Sequence, residues 1–141
     1  MKTTTLIAKP GPATEPTGAT ATAAFLVGGL LVIWLSYIHF HLWQDGYRHI
    51  ATIGPLFLVQ SIAGLLVGLL VVAVRRVWTA VVGIGFALAT MAGFLISVEH
   101  GLFGFKDSWA APFAGLAFTV EIATAGVLAL AAVVCGICAT P

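Results

Sequence analysis

A chain of 141 residues that is 60% hydrophobic and 8% charged cannot clothe a water-facing surface, because soluble domains commit about a quarter of their residues to charge. The formal net charge is +1 with no basic run, which excludes a nucleic-acid surface. Four apolar stretches, each close to the roughly 20 residues that cross a bilayer core, leave too little polar sequence for a separate soluble catalytic domain.

Residues 1–20, MKTTTLIAKPGPATEPTGAT, are rich in Thr, Pro and Gly. They bury too little apolar surface to offset the entropy of ordering, so a flexible tail is expected. The small residues of ATATAA precede the first apolar stretch, whereas a secretory signal places them after it, so the first helix is expected to be retained. That stretch runs from Ala21 to Trp43, and the others from Gly54 to Val74, Val77 to Glu99 and Pro112 to Cys138. None contains Lys or Arg. They lack period-two alternation and are about twice the length of a barrel strand, which leaves helices as the spanning structure. The expected fold is all-α: a four-helix transmembrane bundle of antiparallel up-down topology.

Lys2, Lys9, Arg75 and Arg76 fall on one face of such a bundle and Arg48 and Lys106 on the other. By the positive-inside rule both termini are expected in the cytoplasm of a multi-pass cell-membrane protein. Residues 44–53 and 100–111 then form the outer loops. Trp43, Trp78 and Trp109 mark span ends, where indole rings prefer to lie, while Trp34 is mid-span. Pro55 and Pro112 fall in first turns, where a missing N–H costs nothing.

Helices in lipid associate through small residues that let backbones approach. The candidates are Gly28, Gly29 and Ser36 in the first span, and Gly64 and Gly68 in the second. The third offers Gly85, Ala89 and Gly93, and the fourth Ala114, Ala117, Thr124, Ala125 and Ala132. By helical spacing His39, Gln60, His100 and Glu121 share these strips and are expected to face inward. His41 lies about 200° around the helix from His39, which puts it on the rim near Tyr37 and Asp45. Asp45 and Arg48 are expected to pair across the first outer turn, with His49 and Glu99 also on the rim.

Glu121 is the strongest signal, a carboxylic acid roughly 13 Å below the outer end of its helix at about 1.5 Å per residue. A carboxylate there is costly and demands a proton or a partner. Two readings stay open: a proton-exchanging or cation-binding site, or a neutral acid joined to Gln60 as interhelical glue. The depths of His39 (about 6 Å), Gln60 (about 9 Å) and rim-level His100 describe a polar funnel better than a metal coordination shell. His39 and His100 remain weak metal or haem ligand candidates, and no cofactor is expected. The loop EHGLFGFKDSW either caps the funnel or anchors in the interface. Cys135 and Cys138 form CGIC, a spacing shared by dithiol redox and soft-metal sites that makes them a second weak metal candidate, but a pair that closes a helix lacks the positive dipole end that activates a thiol.

There is no phosphate loop, nucleophile elbow or HExxH, and nothing in the chain specifies an enzyme. The reading is of a small integral membrane protein, a structural or accessory component with a His/Gln/Glu cluster under its outer face. The runner-up is a proton- or cation-coupled carrier using Glu121, and the third reading a metal- or haem-binding redox component. Its partners are expected to be the lipid bilayer, further copies of itself or a larger membrane complex, and no nucleic acid.

Overall fold

The computed structural model describes residues 16–139, with side chains from 18 to 137. Residues 1–15, most of the expected tail, and the Cys138 side chain lie outside the described set. The described chain is all-helical: α1 (Pro16–Asp45), a 3-10 turn (Tyr47–His49), α2 (Ile53–Val74), α3 (Val77–Glu99) and α4 (Ala114–Ala139). All four α-helices are long and apolar enough to cross a membrane. Helix α1 already includes the five residues before Ala21, which the expected tail had claimed. Helix α4 starts at Ala114, so Pro112 precedes its first turn instead of occupying it.

Helix α1 is the central staff. Half of its most apolar stretch is buried, against 22%, 17% and 28% for α2, α3 and α4. It packs most extensively on α2 and α4, and α4 in turn carries α3, whereas α2 and α3 touch far less although a two-residue turn joins them. Small residues explain the tight pairs. A Cβ added to Gly68 would stand 2.5 Å from Ile33 Cγ1 and 2.9 Å from the Gly29 carbonyl oxygen, so only glycine admits this approach of α1 to α2. Two turns nearer the loops, the Ser36 hydroxyl donates to the Ser61 carbonyl across the same seam. Leu128 of α4 fills the hollows over Gly28 of α1 and Gly83 of α3, fixing three helices with one fully buried side chain.

The expected strip on α3 is corrected. Gly83 is its packing glycine, while nothing lies within 4 Å of a Cβ at Gly85 or Gly93, and Ala89 is exposed. Those three residues face away from the helix contacts and leave the α2–α3 side loosely filled. In α2 and α1 the expected small residues Gly64, Gly68, Gly28, Gly29 and Ser36 are all buried.

Two connections meet at one end of the bundle. Gly54 lets the backbone of the 3-10 turn lie on the start of α2, since a Cβ there would come 2.9 Å from the Tyr47 carbonyl oxygen and 2.7 Å from that of Arg48. Tyr47 is thereby held against Phe57, ring centroids 4.4 Å apart, and edge-on to Phe105 of the 100–113 connection at 5.8 Å. That connection reverses at Leu102–Phe105, with Gly101, Phe103 and Gly104 all at positive φ. Its Asp107 N–H donates to Ser97 Oγ on α3 at 3.2 Å, which ties it down onto the bundle.

Candidate functional site

The loose α2–α3 side and the docked 100–113 connection enclose a cavity of about 280 Å³. Three of the four residues expected to point inward line it: His39 from α1, Gln60 from α2 and Glu121 from α4. Most of the remaining wall is apolar or aromatic, with no Lys or Arg among the lining residues. Leu56, Val59 and Ala89 belong to the wall yet are exposed, so the cavity reaches the outer face of the bundle between α2 and α3.

Glu121 is 2% exposed, one of the largest fully buried side chains. Among the described residues its carboxyl has no hydrogen-bond partner, and no buried polar atom is sealed off without one, so the carboxyl oxygens open onto the cavity. The anticipated Glu121–Gln60 bond is not formed. Gln60 Nε2 donates instead to Thr90 Oγ1, and Thr90 donates to the Phe86 carbonyl at 2.9 Å. That bond joins α2 to α3.

His39 is buried, and its Nδ1–H donates to the Leu35 carbonyl one turn back at 2.9 Å. That bond assigns the proton to Nδ1 and leaves Nε2 with a free lone pair. The imidazole packs on Phe57 with centroids 5.3 Å apart.

His100 departs from expectation. Helix α3 ends at Glu99, His100 occupies its C-cap, and the chain swings away at Gly101, whose φ is +82°, leaving Glu99 and His100 exposed and outside the cavity wall. His41 does sit on the rim, its Nδ1 3.1 Å from Asp45 Oδ2 and its ring 6.1 Å from Tyr37. Asp45 therefore faces His41 and not Arg48, whose Nε donates to Nε2 of the exposed His49 at 3.1 Å. Cys135 is a free, half-buried thiol far along α4 from Glu121. Among the described residues no group of three or more His, Cys, Asp or Glu is placed to hold a metal ion, and His39 and His100 are not brought together.

Sequence reasoning missed Tyr47, Thr90, Ser97 and Asp107, which supply the rest of the cavity's polar lining. Tyr47 Oη donates to Asp107 Oδ1 at 3.4 Å, across two connections 60 residues apart in sequence. Burial first, then the Asp107 charge and this bond, push the Tyr47 hydroxyl up to about 12. Thr90 and Ser97 were legible in one respect, since they lie two turns apart on one face of α3.

Nothing among protein-family models, curated proteins or solved structures matches the chain.

Proposed function

We propose that the chain is a small multi-pass protein of the cell membrane, four antiparallel spans with both termini cytoplasmic, in which Glu121 is the exchanging group of a proton- or cation-coupled carrier. The orientation rests on the positive-inside bias of Lys2, Lys9, Arg75 and Arg76 over Arg48 and Lys106, which sets the cavity beneath the outer face.

The observation that carries the reading is a buried carboxyl without a protein partner, opening onto a cavity that reaches the lipid-facing side of the bundle. A group of this kind costs several kcal/mol to keep as a bare anion in a bilayer, and a purely structural role would have paired it. The register-fixing role foreseen for Glu121 belongs instead to the Gln60–Thr90 and Ser36–Ser61 bonds. Exchange is what remains for Glu121: proton on, or proton off with a cation beside it.

A hydrophobic carbodiimide tests this without any knowledge of the solute. Dicyclohexylcarbodiimide partitions into the bilayer, adds the protonated carboxyl across its C=N bond and rearranges to a stable N-acylurea, raising the mass of the chain by one reagent. Peptide mass spectrometry is expected to place that adduct on Glu121, with labelling slowing as pH rises and vanishing in Glu121→Gln. A Glu121 that stays unlabelled in membranes at every pH refutes the reading.

A further inference from the structure

Resting on that reading, we infer that the cavity binds an organic ammonium ion carrying an apolar body of about one aromatic ring, with the cationic head at Glu121. Charge is the first argument. The lining holds two carboxyl groups, Glu121 and Asp107, and no Lys or Arg, so it favours a cation over an anion. The second is the wall. Tyr47 and Phe57 stack on one side and Phe94 and Phe118 pack with centroids 6.2 Å apart on another, and aromatic faces attract a weakly hydrated cation.

The third argument is against competing ligands. A hard inorganic cation wants about six to eight oxygen ligands converging on it, whereas among the described residues no three His, Cys, Asp or Glu side chains are placed to hold one. An alkylammonium needs only one counter-charge and tolerates hydrocarbon elsewhere. A volume of about 280 Å³ is at the small end of ligand sites, which fits one ring and a compact head.

Charge balance fixes the stoichiometry. As one ammonium enters, the Glu121 O–H bond breaks and one proton leaves for the outer water, so the net charge of the cavity is unchanged. The other titratable groups facing the cavity are His39 on α1, Tyr47 in the 3-10 turn and Asp107 in the 100–113 connection, while α2 and α3 contribute none. His39 Nε2 is the free base on that side, since Nδ1–H is held by Leu35.

The test is equilibrium dialysis of radiolabelled benzyltrimethylammonium against the purified protein in an uncharged detergent. Saturable binding of one ion per chain is expected, weakening about tenfold per pH unit on acidification where one proton competes for one site. Binding should be lost in Glu121→Gln and kept in Glu99→Gln, which alters an exposed carboxylate outside the cavity. Neopentylbenzene, the uncharged carbon isostere, and benzenesulfonate should fail to displace the ion. In weakly buffered solution, one proton should appear per ion bound, a readout that needs no variant should Glu121→Gln fold poorly. Equal displacement by neopentylbenzene, undiminished binding by a folded Glu121→Gln, or no proton release would overturn the ammonium assignment. The exchange reading would then still stand if the carbodiimide labels Glu121, and would fall with it if the carbodiimide does not.

Discussion

Tyr47 and Asp107 show how one residue pair records the docking of two connections. Neither position is unusual in sequence, but Gly54 and Phe57 press the Tyr47 ring against the bundle and Ser97 draws Asp107 in from the other side. The phenol is neutral in both folded and unfolded chains below the ordinary tyrosine value of about 10. Between there and about 12 the unfolded chain loses the proton while the folded one keeps it, so the stabilising contribution is full below that window and is lost as pH rises through it. Tyrosinate absorbance is expected to show a component titrating near 12 that disappears in Tyr47→Phe. In Asp107→Asn it should move down without reaching the ordinary value, because burial, the larger cause, remains. A Tyr47 component that titrates near the ordinary value would show that the two connections do not meet in solution.

Among the helices, the α1–α2 seam and the open face of α3 make opposite demands on glycine. An alanine at Gly68 has to displace backbone, with the Gly29 oxygen at 2.9 Å, whereas one at Gly85 meets nothing within 4 Å. Overpacking of this kind costs about 1–3 kcal/mol, while relieving an unconstrained helical glycine is neutral or gains up to about 1 kcal/mol. Unfolding in detergent should therefore show Gly68→Ala clearly destabilised and Gly85→Ala unchanged or improved; the reverse order would mean that α3, not α2, forms the tight seam. The same contrast shows what sequence can and cannot convey. Span positions were readable because hydropathy alone dictates them, and α3 has the expected ends, Val77 and Glu99. His39, Gln60 and Glu121 were readable because polar groups inside a span are costly enough to need a reason. Thr90 hid because its hydroxyl satisfies itself on the carbonyl four residues back, so it carries no visible penalty. The choice of Gly83 over Gly85 was hidden too, since two glycines two residues apart face opposite ways and only the partner, Leu128, decides between them. His100 misled because helical spacing was extended one residue past the helix, into a chain already turning at Gly101.

For the molecule as a whole, the uneven packing of the four helices decides how anything reaches Glu121. Three interfaces are closed by glycine hollows, Leu128 or the serine seam, and the loop end is covered by Leu102, Phe105 and the Tyr47–Asp107 pair. The α2–α3 side is held by Gln60–Thr90 and otherwise walled by exposed Leu56, Val59 and Ala89, so the cavity opens sideways between these two helices. Gly93 sits in that opening with no atom within 4 Å of where its Cβ would be. A leucine there has room at its first carbon and projects its branches into the slot, so it should narrow the entrance without disturbing helix packing. Gly93→Leu is expected to keep wild-type thermal stability and yet slow carbodiimide labelling of Glu121 by at least about tenfold, the effect of roughly 1.4 kcal/mol added to the entry barrier. Gly85→Leu, two turns further from the loop end and outside the cavity wall, should leave the labelling rate unchanged. Equal rates in the wild type and Gly93→Leu would place the entrance at the loop end, and a water-soluble carbodiimide would then label Glu121 as fast as the hydrophobic one.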